Sequence, residues 1–205
     1  MVQKPDVIQQ LVWFQSGPPR LELTEEGAFL CLYLDGVMQS KMNQLAPATT
    51  LSPHFVPILK SLQQLKPTSV LQLGLGAGDI NRFITTVLPK TQLVTVELNP
   101  VVIDVYKRFF CLQGKEELIA MPAQEFLQNN QHQWPFVLWD IYPLFDGWQQ
   151  AMQKTLEQQG AIWINLAQPE YQQQLESLLT ERSYQCHHIE GYLNLIYEIN
   201  SLTGK

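Results

Sequence analysis

The sequence predicts an α/β fold: a doubly wound, mostly parallel seven-stranded sheet with a small N-terminal β-hairpin region. Three observations carry this. Apolar runs of strand length alternate with amphipathic helical patterns from Ser52 onward. The first of those runs breaks into Gly74, Gly76 and Gly78, and the second ends in an acid, Glu97, which reads as a β-α-β unit with a glycine-rich first turn. The last two strand patterns meet at Glu190-Gly191 as a hairpin, which puts one antiparallel strand into the sheet.

Residues 1–50 form the first region. Leu11 to Phe14 reads as a strand, and Gly17-Pro18-Pro19 as a turn. Leu21 and Leu23 alternate with polar residues, Glu25-Glu26-Gly27 turns, and Phe29 to Leu34 is a further strand. Asp35-Gly36 is a hairpin signal leading into Val37, Met38 and Gln39. Such a meander buries little alone, so it is expected to pack on the main domain or on a second subunit; a homodimer follows as an expectation.

Residues 51–205 form the second region. Ser52 is placed to cap a helix with Pro53 at its first position, Phe55, Ile58, Leu59, Leu62 and Leu65 give its apolar stripe, and Pro67 ends it. Val70 to Leu73 is the first strand of the β-α-β unit. Ile80, Phe83, Ile84, Val87 and Leu88 are the buried face of its helix, Pro89 stops that helix, and Leu93 to Val96 is the second strand. Asn99-Pro100 opens the next helix, with Val101, Val102, Val105, Phe109 and Phe110 facing inward. Then come a strand at Glu117 to Ala120, a helix at Pro122 to Asn129, a strand at Phe136 to Trp139 and a helix at Gly147 to Gln158. A turn at Gln159-Gly160 leads into a strand at Ala161 to Leu166, and Pro169 opens a helix through Leu179. Tyr184 to Ile189 and Leu193 to Ile199 close the chain.

Right-handed crossovers place the C-terminal ends of parallel strands on one edge, where ligands of open α/β sheets bind. Gly74, Glu97 and Asp140 all lie at such ends. Glycines let the backbone turn tightly and let a ligand approach, and an acid at the tip of the second strand can accept both hydroxyl protons of a ribose. Gly78 and Glu97 stand about 20 residues apart, the spacing of one nucleoside crevice. Asp79 occupies the position where a dinucleotide fingerprint has its last glycine, which argues against NAD, and no Gly-Lys-Ser/Thr is present to form a P-loop. A nucleoside with a short tail, such as an S-adenosyl sulfonium compound, remains.

Composition narrows the partners. Of 205 residues, 45% are hydrophobic, enough for one core with a small appendage. A formal net charge of −6 with no basic stripe argues against nucleic acid. Cys31, Cys111 and Cys186 are scattered with no CxxC, which points to reduced thiols, a cytoplasmic location and no zinc site. The N-terminus lacks a signal peptide's apolar core, and no apolar stretch reaches membrane length. His187 and His188 alternate across a strand and cannot share a metal, so no metal site is expected.

Four stretches resemble the spermidine synthase (aminopropyltransferase) family, which shares the Rossmann-like fold of class I AdoMet-dependent methyltransferases. Leu34-Asp35-Gly36-Val37-Met38-Gln39 resembles the family's Leu-Asp-Gly-x-x-Gln. Val70 to Gly78 resembles its glycine loop, and Val96-Glu97-Leu98-Asn99 its ribose-binding Glu-Ile-Asp. Trp139-Asp140 with Pro143 resembles its catalytic-loop Asp-Ser-Ser-Asp-Pro. The resemblance implies that Gln39, Gly74, Gly76, Gly78 and Glu97 bind the nucleoside. It implies that Asp140 helps deprotonate the attacking amine, with Tyr142 beside it shaping the substrate pocket.

Departures from the family pattern matter as much. Ala77 stands where the family's loop carries the aspartate that binds the aminopropyl amine of decarboxylated AdoMet. The Asp-Gly that reads the adenine edge is Pro122-Ala123 here. The polyamine-gate Asp, Tyr and His fall on Gln44, Ala48 and Thr49, and the catalytic loop lacks its second aspartate. Buried ammonium groups are costly unless paired, so the resemblance with these losses implies a transferase other than spermidine synthase itself. The cofactor expected is S-adenosylmethionine or its decarboxylated form, with methylthioadenosine as the product of aminopropyl transfer, and the acceptor is a small-molecule amine or other nucleophile. The alternatives are a small-molecule AdoMet-dependent methyltransferase and a catalytically silent, nucleoside-binding or oligomeric relative.

Overall fold

Two β-sheets share the chain in a computed structural model that describes residues 9–158 and 160–199. The start of the chain, read above as lacking a signal peptide, and Gln159 of the expected turn lie outside the described residues.

The first sheet has four antiparallel strands in sequential order: β1 (Gln9–Gln15), β2 (Leu21–Glu26), β3 (Phe29–Leu34) and β4 (Val37–Asn43). Asp35 and Gly36 both take positive φ, 49° and 79°, the conformation that Asp-Gly supplies in a two-residue hairpin turn. Leu32 pairs with Ser40 but Tyr33 pairs with Met38, so Gln39 is an extra residue in β4. This β-bulge re-aims the strand, and Ser40 ends up buried.

The chain then crosses to α1 (Val56–Leu65) through a tight 3₁₀ turn at Pro53–Phe55. The expected Ser52 cap is not made by its side chain; the backbone carbonyl of Ser52 accepts from Phe55 N–H at 3.1 Å instead. Pro53 already fixes the entry to the turn and leaves one fewer N–H to satisfy.

The second sheet has seven strands in the order β10-β11-β9-β8-β5-β6-β7. These are β5 (Ser69–Leu73), β6 (Gln92–Glu97), β7 (Glu117–Ala120), β8 (Phe136–Trp139), β9 (Ala161–Leu166), β10 (Tyr184–His188) and β11 (Leu195–Ile199). All run parallel except β11, which is antiparallel to both neighbours. The last hairpin has a longer turn than the Glu190-Gly191 signal implied, because β11 starts at Leu195 rather than Leu193.

The remaining helices are α2 (Asp79–Val87), α3 (Pro100–Val105, continued by a wider π turn at Tyr106–Phe110), α4 (Ala123–Asn129), α5 (Trp148–Leu156) and α6 (Gln172–Leu178). Asn99 caps α3, its side chain accepting from Val101 N–H at 2.9 Å.

Alternate residues of the large sheet feed two cores. Leu71, Leu73, Val137 and Trp139 pack with Leu127 of α4, Ala151 and Met152 of α5 and Leu175 of α6. Val70, Phe136, Leu138 and Trp163 pack with Ile58 and Leu62 of α1 and Ile80 and Ile84 of α2. A third core joins the small sheet to the large one: Leu21, Leu23, Leu30, Leu32 and Met42 meet Leu75, Ala77, Val102, Ile103, Tyr106 and Phe110. The hairpin region therefore packs on its own main domain. Each such fully buried large side chain contributes about 1.5–3 kcal/mol.

Helix α2 departs from the expected amphipathic stripe. Val87 is 43% exposed, while Asp79, Asn81 and Arg82 are buried with the apolar residues. The small sheet and the loop after it cover the face that would otherwise meet water. Among the described residues, no helix is long and apolar enough to cross a membrane.

Candidate functional site

The tips of β8, β5 and β6 lie side by side. Leu73 pairs with Val96 on one side and Trp139 on the other. The ladder continues one step past the strands: Gly74 N–H donates to Val96 O, and Asp140 N–H to Leu73 O, each at 2.8 Å. Gly74, Glu97 and Asp140 thus share one edge of the sheet, as the crossover rule requires.

The three glycines do different jobs. A β-carbon on Gly74 would stand 1.9 Å from the backbone oxygen of Asp140, so Gly74 is needed for the close approach of two strand tips. A β-carbon on Gly78 would meet the Tyr106 ring at 2.1 Å, so Gly78 is needed for packing against α3. Gly76, with φ +55°, has nothing within 4 Å of that position. Of the three, Gly76 is the one that leaves a face of the loop open to a ligand.

Glu97 is held at the tip of β6 by backbone donors. Leu75 N–H donates to one carboxylate oxygen at 3.0 Å and Asn99 N–H to the other at 2.9 Å. Burial pushes this carboxyl up, and the N–H groups of Asn99, Leu75 and Leu98 oppose that rise. Each oxygen keeps acceptor capacity beyond these bonds, which is what a ribose diol requires.

Asp140 is the next acid along the edge. Its Oδ1 accepts from Asn165 Nδ2 at 2.7 Å. Burial pushes its carboxyl up to about 6, the Asn165 hydrogen bond works against that rise, and the nearby charges of Asp79 and Glu97 add to it. A carboxylate poised near 6 is a competent proton acceptor at neutral pH. Tyr142 follows on the loop and is 47% exposed, so its ring is not part of the packed wall behind Asp140.

Gln39, at the bulge of β4, donates to Val37 O at 3.3 Å. Its neighbour Ser40 reaches across to the glycine loop, where its hydroxyl donates to Asp79 Oδ2. Asp79 also accepts from Arg82 Nη2 at 2.8 Å. Arg82 also donates from Nε to Pro47 O, at 2.8 Å, and from Nη1 to Ala77 O. Its guanidinium lies 5.7 Å from the Phe110 ring centroid. Burial pushes Asp79 up and Arg82 down, and their mutual attraction opposes both changes. This knot ties β4 and the loop after it to the base of the glycine loop.

Ser40, Arg82, Tyr106 and Asn165 were not singled out by sequence reasoning. The Asp79–Arg82 spacing of three residues on one helix was a readable signal for an ion pair. Asn165, a polar residue near the end of an otherwise apolar strand, was a second. Ser40 and Tyr106 carried none. Among the described residues, no three His, Cys, Asp or Glu side chains are grouped to hold a metal ion.

Architecture and strand-tip geometry define the class: an α/β fold of the AdoMet-dependent methyltransferase type with an N-terminal antiparallel sheet. Within that class the chain is similar in sequence to polyamine aminopropyltransferases and in fold to spermidine synthases. No protein-family model matches it. Over 139 residues, 65% of the chain, it is 31% identical to the polyamine aminopropyltransferase of Neisseria meningitidis serogroup B. The match covers 52% of that relative, so the chain spans about half the length of the curated protein it resembles.

A probable spermidine synthase from Corynebacterium glutamicum superposes with a TM-score of 0.74 at 12% identity, over 98% of this chain and 82% of that one. A spermidine synthase solved with the transition-state analogue AdoDATO gives 0.64 at 15% identity, over 94% and 72%. Human methyltransferase-like protein 13, solved with SAH, gives 0.55 at 16% identity, over 72% and 77%. At these identities the structures show a shared fold.

Proposed function

We propose that this chain binds an S-adenosyl nucleoside at the tips of β5, β6 and β8 and serves alkyl transfer to a small amine or other nucleophile. One observation carries the reading: a backbone-clamped carboxylate, Glu97, is held by the N–H of Leu75, the residue before the open Gly76, with a second acid, Asp140, at the tip of β8 on the other side of β5. The residues fit the group. Glu97 has acceptor capacity for a ribose diol, and a ligand can approach the backbone at Gly76 without meeting a side chain. The complexes of fold neighbours with AdoDATO and SAH support an adenosyl ligand.

When bound, such a nucleoside supplies an alkyl carbon attached to a sulfonium sulfur. The chain's own contribution is positioning and charge. Glu97 fixes the ribose. Asp140 accepts a proton from the nucleophile as it attacks, and its negative charge favours an ammonium substrate over an anionic one.

The character of the loop bears on which tail is held. Ala77 is fully buried and presents no carboxylate, whereas the resemblance places an amine-binding aspartate there. The loop thus offers no counter-ion to the free amine of a decarboxylated tail, which supports intact AdoMet as the ligand and an activity other than spermidine synthesis.

Thermal unfolding with AdoMet, decarboxylated AdoMet and methylthioadenosine tests this. A ligand at 100 times its dissociation constant stabilises by about 2.7 kcal/mol. AdoMet is expected to raise Tm most, and Glu97→Ala to abolish the rise. A stronger response to the decarboxylated form overturns the preference argued from Ala77. No response to any of the three overturns the reading itself.

A further inference from the structure

Behind Asp140 runs a chain of side-chain amides that crosses three strands. Asn194, at the end of the β10–β11 turn, donates from Nδ2 to Asn165 Oδ1 at 2.8 Å. Asn165, on β9 and 5% exposed, donates from its own Nδ2 to Asp140 Oδ1 at 2.7 Å. We propose that Asn194 and Asn165 are positioning residues that orient the Asp140 carboxylate, holding Oδ1 and leaving Oδ2 to meet the nucleophile. The inference rests on the proton-acceptor role proposed above for Asp140.

The direction of this relay is forced by its inner end, because an ionised carboxylate only accepts. An amide has one accepting and one donating side. With the Asp140 carboxylate accepting, the NH₂ group of Asn165 must face it, which leaves Asn165 Oδ1 to accept from Asn194. Turning the Asn165 amide over would set oxygen against carboxylate and NH₂ against NH₂, losing both bonds. At Asn165, only 5% exposed, an unpaired amide is costly. Asn165 is itself placed by the sheet, since Ile164 pairs with Trp139 and Asn165 with Ile196. Asp140 Oδ2 has no hydrogen bond among the described residues.

The relay has a measurable electrostatic consequence. Of the charged groups that act on Asp140, Asp79 at the start of α2 and Glu97 at the tip of β6 both disfavour its ionisation, as burial does. The Asn165 amide is the group that favours the carboxylate. On the same turn as Asn194, the Tyr192 ring lies 5.8 Å from the His54 ring ahead of α1.

Carboxyl ¹³C NMR titration of the full chain, with the Asp140 signal identified by its loss in Asp140→Asn, tests the proposal. Asn165→Leu is expected to raise the Asp140 midpoint by about one pH unit. Asn194→Ala, at a partly exposed position, is expected to raise it by less. The double variant should match Asn165→Leu, because the outer amide acts only through the inner one. An unmoved midpoint in both single variants overturns the relay, as do independent, additive shifts. If Asn165→Leu fails to fold, Asn194→Ala alone decides, through the same midpoint. The relay and the nucleoside reading fail separately: the NMR midpoints need no ligand, and the AdoMet thermal shift of the unaltered chain needs no relay.

Discussion

The backbone oxygen of Asp140 stands 1.9 Å from where a β-carbon on Gly74 would lie. Two strand tips are pressed together at that point, and the pressure makes Gly74 a structural glycine. With φ at +95° as well, Gly74→Ala must displace the tip of β8. We expect a loss of more than about 2 kcal/mol in urea unfolding. Gly76→Ala meets only the left-handed backbone cost of about 1–2 kcal/mol, since its β-carbon enters open space. It should weaken the AdoMet thermal shift more than it weakens the fold. Equal destabilisation by the two would contradict the division of labour among the glycines.

Asp79 and Arg82 form a buried ion pair 2.8 Å apart. Removing one partner strands the other charge, so Asp79→Leu or Arg82→Met should each cost about 3–5 kcal/mol. The double variant should cost far less than the sum, because no orphan charge remains. A double-mutant cycle by chemical denaturation measures this; strictly additive losses would mean that the pair contributes nothing as a pair.

Asp140 carries a pH signature opposite in sign to that of a salt-bridged acid. Its carboxyl rises from 3.8 to about 6 on folding. Ionisation therefore opposes the fold: the cost is absent below about pH 4 and is fully present above about pH 6. Asp140→Asn is expected to raise Tm at pH 8 and to leave it unchanged near pH 3.5. A variant less stable than the parent at pH 8 would count against this.

His54 titrates the other way. Burial lowers its ring from 6.5 to about 4, and it packs on Phe55 at 4.3 Å between ring centroids. Its native environment favours the neutral ring. The stability this supports is complete above pH 6.5 and is lost as pH falls toward 4. His54→Phe should flatten the Tm–pH profile across that interval, and an unchanged slope would refute the assignment.

Much of the architecture was legible before any coordinates. Strands β7, β8 and β9 begin and end at the expected residues, and β5 starts one residue early, at Ser69. The glycine turn and the acid at Glu97 were readable as neighbouring strand tips because each residue type has a local reason to be there. The Asp35-Gly36 turn was readable for the same reason. Less legible were the edges. The Ser52 cap was not needed once Pro53 set the turn, and the last hairpin turn ran longer than its Glu-Gly pair signalled.

By itself, the sequence determined the alternation of strands and helices, the single antiparallel strand, and the convergence of Gly74, Glu97 and Asp140 on one sheet edge. Those follow from periodicity, turn chemistry and the handedness of crossovers, all of which act over short stretches of chain. Only the tertiary structure decided which glycine stays open, that Arg82 is interred beneath the loop with Asp79 and Ser40, and that Asn194 and Asn165 stand in line behind Asp140. These depend on side chains far apart in the chain meeting within hydrogen-bond distance. Local pattern reports which face of an element is apolar, but not which polar atom waits on the element packed against it.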